Sequence, residues 1–273
     1  MICKANPGVN DMKKAVCVMV ALLLAVTLSV PSFAAEEKLT FLALGDSIAK
    51  GSGLINQSQG CYTRIVCDTN GYEYINEGVD GNQSWQLLEQ LQSDERVRGE
   101  VAHADIIDIS IGGNNFLKAN ILKLFIGGIL MGNTSLITEI VDDYAEDLDE
   151  IITVIRELNP DAQIIMQTLY NPAPKWLSDS LEAALDIFNG SIYAYLEENP
   201  DAFAVADVRS AFEGHPEYSE LIHPNAQGNK VIAQVILNLL SELGYEGSTE
   251  PVITYFAWDS WEYYVAVIIG FMI

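Results

Sequence analysis

The chain has 273 residues, enough to bury a sizeable core, and its 49% hydrophobic and 9% aromatic content is that of a globular protein, not a disordered one. Its 38 acidic against 14 basic residues give a formal charge of -24. That excludes a surface built for nucleic acid or anionic lipid headgroups, and it suits neutral or cationic partners or simple solubility.

The first element in chain order is a targeting segment. Lys13 and Lys14 precede an apolar run from Ala15 to Val30, Pro31 breaks it, and Ser32-Phe33-Ala34 supplies a small residue for cleavage. This order of charge, apolar stretch and cleavage site predicts a secretory signal peptide over 1–34 and an extracellular mature protein. The run falls short of the ~20 residues that span a bilayer. Its removal takes away Lys4, Lys13, Lys14 and Asp11, leaving a formal charge of -26. Cys3 and Cys17 leave with it, while Cys61 and Cys67 remain in an oxidising compartment. Six residues apart on a regular helix they would face different ways, so a bridge requires the chain to turn between them. No His/Cys cluster has zinc-ligand spacing, and no metal or organic cofactor is expected.

Beyond Glu37, short apolar runs alternate with amphipathic stretches. Leu39–Leu44, Tyr74–Asn76, Ile106–Ile111, Ala162–Thr168 and Ala202–Val208 read as strands. Ser135–Leu158 places Ile137, Ile140, Val141, Leu148, Ile151, Ile152 and Ile155 at helical spacing and stops at Asn159-Pro160; Asp179–Glu198 and Ala226–Leu243 are further helices. Alternating strands and helices predict an α/β domain over 35–244, with a parallel sheet covered on both faces. In such a sheet the site lies outside the carboxyl ends of the strands. The aromatic and apolar tail, 245–273, reads as extra structure docked on the domain or as a surface-binding segment.

Several chemistry-bearing residues fall at that carboxyl edge. Ser47 follows the first strand in Gly45-Asp46-Ser47, where a substrate can reach it, but a serine needs a base to take its proton. The chain has three histidines. His103 precedes a strand on the opposite side of the sheet, and His215 sits in a polar Gly-His-Pro turn. His223, in Glu220-Leu221-Ile222-His223-Pro224-Asn225 just ahead of a strong helix, is on the loop face. Attack on an ester carbonyl also needs donors for the oxyanion. Asn114, in Ile111-Gly112-Gly113-Asn114-Asn115, brings an amide to the same edge, and Gly81, in Asp80-Gly81-Asn82, allows a close backbone N–H.

Taken together, Gly45-Asp46-Ser47, Gly81, Gly112-Gly113-Asn114-Asn115 and Glu220–Pro224 resemble, in order and spacing, the motifs of the GDSL/SGNH hydrolase superfamily, over about residues 39–243. The resemblance implies a single three-layer, flavodoxin-like domain with strand order 2-1-3-4-5. It implies Ser47 as nucleophile, His223 as base, and an oxyanion hole of the Ser47 N–H, the Gly81 N–H and the Asn114 side chain. Where the family usually has Asp three residues before the histidine, this chain has Glu220, whose extra methylene must be accommodated. Asp207, ending the last strand, is the rival acid. Asn115 stands where the family often has Asp, and is expected to support the loop.

These residues and the resemblance predict hydrolysis of a carboxylic ester through an acyl-enzyme, the substrate being a small molecule or a lipid or carbohydrate ester. The apolar stretch Phe116–Met131 reads as an acyl-chain wall or as an ordinary core helix. Membrane contact follows only if the substrate is a lipid. Trp85 and Trp176 are candidate sugar platforms for the alternative, a polysaccharide O-deacetylase. A non-catalytic binding protein on the same fold is the third reading.

Overall fold

The computed structural model describes residues 38–118, 135–172 and 175–254. The signal-peptide segment, most of Phe116–Met131, the Trp176 side chain and the tail from residue 255 onward lie outside the described residues.

Five strands form one parallel sheet: β1 (Thr40–Gly45), β2 (Glu73–Asn76), β3 (Ile106–Ser110), β4 (Gln163–Gln167) and β5 (Ala204–Ala206), in the order 2-1-3-4-5. The strand runs read from sequence hold to within two residues at each end. Both faces are apolar because both are covered. Leu42, Leu44, Ile107, Ile109, Ile164 and Met166 point to one core, and Phe41, Ile106 and Ile165 to the other. The alternation follows from the two-residue period of a strand. Truncating one of these fully buried aliphatic residues to alanine costs about 2–5 kcal/mol.

The helices, in chain order, are α1 (Ser47–Lys50), α2 (Gln57–Gly60), α3 (Tyr62–Asn70), α4 (Ser84–Ser93), α5 (Glu95–His103), α6 (Gly113–Lys118), α7 (Ser135–Leu158), α8 (Lys175–Glu198), α9 (Val208–Phe212) and α10 (Ala226–Glu242). Residues of α4, α5, α7 and α8 build the first core, and those of α3, α9 and α10 the second. Helix α7 occupies the predicted span. Helix α8 begins at Lys175, directly after Pro174, and not at Asp179. Its first turn therefore lies upstream of the span read from the sequence.

Helices α3, α4 and α5 have no counterpart in the sequence reading. Helix α3 buries Tyr62, Thr63, Ile65, Val66 and Cys67, whereas α4 and α5 bury narrow stripes, such as Leu87 and Leu91 on α4. The Asp94 carboxylate accepts from the N–H groups of Arg96 (2.9 Å) and Val97 (3.2 Å), and starts α5.

The cysteines are not bridged. Cys61 precedes α3 and Cys67 lies within it, so an unbroken helix separates two buried free thiols. Residues 245–254 continue from α10 onto α3: Tyr245 packs on the second core, the Asn70 side chain accepts from the Ser248 N–H (2.8 Å), and the Thr69 hydroxyl accepts from the Val252 N–H (2.9 Å). Among the described residues no helix is long and apolar enough to cross a membrane.

Candidate active site

The chain leaves β1 through Gly45, at φ +127°, where any Cβ would stand 2.0 Å from the Ser110 carbonyl oxygen. Only glycine lets β1 run this close to β3 and then turn upward. The turn is fixed by Asp46, whose Oδ1 accepts from the Ile48 N–H (2.9 Å) as the cap of α1, with Ser47 as the first helical residue.

His223 arrives from the other end of the chain. Ser219–Glu220 and His223–Pro224 form a two-residue antiparallel ladder, β6 and β7, turned by Leu221 and Ile222. Leu221 adopts φ +57°, a conformation that costs a branched residue about 1–2 kcal/mol, so the surroundings must hold the turn. They do so twice. The Tyr170 hydroxyl donates to the Ile222 carbonyl (2.7 Å), and Asn229, buried in α10, donates to the Pro224 carbonyl (2.9 Å) while accepting from the Tyr62 N–H (2.9 Å). The outcome is a contact of 3.0 Å between His223 Nε2 and Ser47 Oγ. Burial pushes the imidazole below its ordinary value, with the Asp80 carboxylate opposing the shift, so the ring is neutral at pH 7 and can accept a proton. The other two histidines are elsewhere: His103 Nδ1 contacts the Gly99 carbonyl (2.7 Å), and His215, stacked on Tyr218, contacts Glu217 (2.8 Å).

Asn114 lies on α6 at the edge of β3. Its Nδ2 donates a 3.0 Å bond to the Asn82 carbonyl and a longer one, 3.4 Å, to Asp46 Oδ2. The first ties Asn114 to the loop that carries Gly81, which sits one residue before Asn82. The second is weak and leaves an N–H beside Ser47 that a nascent oxyanion can take over. Asn115 turns the other way and bonds the Ser84 N–H (3.1 Å) and hydroxyl (2.6 Å), which holds the start of α4 as a loop support would.

Ser47 and Asn114 face an apolar cavity of about 120 Å³, walled by Ile48, Phe116, Leu117, Leu181, Leu185 and Ile222. Asp46 also lines it, almost fully buried, and burial raises its carboxyl to about 7. Trp85 is half exposed and lines a separate polar surface with Gln83, Asn115 and Lys118. Among the described residues no cluster of three or more His, Cys, Asp or Glu side chains could hold a metal ion.

Residues 43–231 match the GDSL-like Lipase/Acylhydrolase family. The chain belongs to that family. It is 27% identical over 225 residues to the uncharacterized protein YpmR of Bacillus subtilis (strain 168), covering 77% of this chain and 84% of that one. The fold is shared with the lipase Lip_vut3 from a goat rumen metagenome (24% identity, 78% of this chain and all of that one, TM-score 0.62). It is also shared with phospholipase A1 from Streptomyces albidoflavus NA297 (16%, 75% and 99%, 0.57) and with a catalytic mutant of the acetylxylan esterase Axe2 from Geobacillus stearothermophilus (18%, 76% and 95%, 0.54).

The GDSL framework sharpens the question of the acid. Glu220 stands opposite His223 in the β6–β7 ladder, so the two side chains leave on the same face about 4.5–5.5 Å apart at Cβ. Glu220 is thus a hairpin partner of His223 and not its neighbour in a single local turn. Asp207 is committed elsewhere: its Oδ1 accepts from the Ser210 N–H (3.1 Å), capping α9, and from the Thr168 hydroxyl (3.3 Å). It is not brought to His223. Three residues that sequence reasoning left without a role contribute here: Asp46 and Asn82 as partners of Asn114, and Tyr170 as the anchor of the hairpin. Asp46 was legible as part of Gly45-Asp46-Ser47. For the other two, only their position in loops at the strand exits pointed this way.

Proposed function

We propose that the protein is a secreted serine esterase that cleaves carboxylic esters with an apolar acyl group. The observation that carries this reading is the 3.0 Å contact of Ser47 and His223 at the mouth of an apolar cavity. Ser47 Oγ attacks the carbonyl carbon as His223 Nε2 takes its proton. The tetrahedral oxyanion is held by the Asn114 amide and the N–H groups of Ser47 and Gly81. Collapse expels the alcohol, protonated by His223, and leaves an acyl-Ser47 ester. Water, deprotonated by the same imidazole, releases the acid. Glu220 orients His223, and the acyl group lies against Ile48, Leu117 and Ile222. Secretion rests on the pattern of residues 1–34, and it predicts a mature N-terminus at Ala35.

The wall chemistry favours an acyl chain over a sugar, since no aromatic platform among the described residues shares the cavity with Ser47 except Phe116 and Tyr170. A p-nitrophenyl ester series from acetate to palmitate tests the reading. Expected is a kcat/KM that rises from acetyl to longer chains. Preference for acetyl, with activity lost as the chain grows, would return the assignment to an O-deacetylase. No turnover of any ester by folded protein would leave a binding protein.

A further inference from the structure

The turn between α1 and α2 touches both reacting residues. Its Ser52 N–H donates to the Ser47 carbonyl (2.9 Å), which ties it to the serine. Its Gly53, at φ +98°, packs so closely on the histidine that a Cβ there would stand 2.9 Å from His223 Cβ. One side chain from outside clamps this turn. Asp80, on the loop after β2 and next to Gly81, accepts from the Ser52 hydroxyl through one carboxylate oxygen and from Lys50 Nζ through the other.

Resting on the reading of His223 as base, we propose that Asp80 is a positioning residue for His223. It clamps the turn that packs on the imidazole, and it presents a carboxylate to the imidazolium that forms when Ser47 gives up its proton. The charges agree with the geometry. Burial acts to raise the Asp80 carboxyl, but the bonds from Lys50 and Ser52, and the pull of Lys50 and His223, hold it below the usual carboxylate range. The charged or titratable side chains on the elements around His223 are Asp80, Lys50, Glu220 across the hairpin, and Asp46, the cap of α1 next to Ser47. Lys50 masks part of the Asp80 charge, and both are partly open to solvent, so the coupling is that of a screened surface pair.

The test reads His223 directly. The chain has three histidines, so the His223 imidazole is resolved by NMR titration and assigned by its loss in His223→Gln. In Asp80→Asn its pKa falls by about half a unit, and kcat on a soluble ester falls roughly threefold at unchanged KM. In Lys50→Met, which unmasks the carboxylate, the pKa moves up. An imidazole pKa unmoved in Asp80→Asn overturns the proposal, even if kcat falls, because the loss would then come through the Gly81 loop alone. Should Asp80→Asn fail to fold, Lys50→Met decides: a pKa that stays or drops overturns it. The titration needs no turnover, so failure of this inference is separable from failure of the esterase reading, which wild-type activity tests by itself.

Discussion

Asn114→Ala separates a transition-state contact from a structural one. The side chain is 9% exposed and makes two bonds, a good one to the Asn82 carbonyl and a long one to Asp46. Losing the first removes about 1 kcal/mol of stability, more if the carbonyl is left dry. In a domain of this size that is a fall of roughly 2–4 °C in Tm. The second N–H strengthens its contact only when a negative oxygen appears beside Ser47. Loss of such a donor costs about 2.7–4 kcal/mol of activation free energy, a kcat lower by roughly 10²–10³. The assay is kcat and KM on p-nitrophenyl butyrate, with Tm measured on the same preparation. The expected result is a large fall in kcat, a KM within about twofold, and a small fall in Tm. If KM rose while kcat held, Asn114 would be a ground-state binding group and the oxyanion site would lie elsewhere. If kcat fell only in proportion to a large loss of folded protein, its role would be the Asn82 bond.

Three further outcomes are expected. Because His223 must be neutral to act and burial lowers its pKa, kcat/KM should rise with pH to a half-maximum below about 6.5; a half-maximum near 7 would instead point to Asp46. Glu220→Gln should lower kcat by disturbing the imidazole's orientation, whereas Asp207→Asn should leave kcat near wild type and cost about 1 kcal/mol of stability through the α9 cap; the reverse order would move the acid to Asp207. Asp108 is fully buried on β3, its Oδ2 accepting from Tyr62 (2.7 Å) and Gln167 (2.8 Å), its Oδ1 without a hydrogen-bond partner, and burial raises its pKa to about 7. The folded state therefore holds a proton that the unfolded chain releases near 4. This contribution is present below pH 4 and lost as pH rises through 7, up to roughly 4 kcal/mol. The Tm of Asp108→Asn relative to wild type should climb between pH 5 and 8, and a flat difference would contradict the assignment.

The strands and long helices were legible because burial on two faces leaves runs such as Leu39–Leu44 and a 3.6-residue stripe such as Ile137 to Ile155. Ser47, Asn114 and His223 were legible because each follows a strand or precedes a helix at the same edge of the sheet. What stayed hidden is held by single polar bonds between distant loops. Asn82 meets Asn114 across 32 positions, Asp80 meets Ser52 across 28, and Tyr170 meets Ile222 across 52. Such pairs have no period, and any of these residues reads equally well as turn chemistry. The short helices α4 and α5 escaped for a related reason, since two or three buried positions per helix leave little pattern to find, and α3 spans only nine residues. The cysteine pair shows the opposite case, in which composition raised a bridge that the helix between Cys61 and Cys67 prevents.

The central claim is that Ser47, activated by His223, is the nucleophile of an ester hydrolase. Hydrolysis of p-nitrophenyl acetate by wild type and by folded Ser47→Ala, with intact-mass detection of the acylated protein early in the reaction, tests it most directly. Expected are turnover and a transient acyl adduct in wild type, and in Ser47→Ala no adduct and a rate lower by at least about 10³. Hydrolysis by Ser47→Ala within tenfold of wild type, or an adduct that persists in it, would contradict the account.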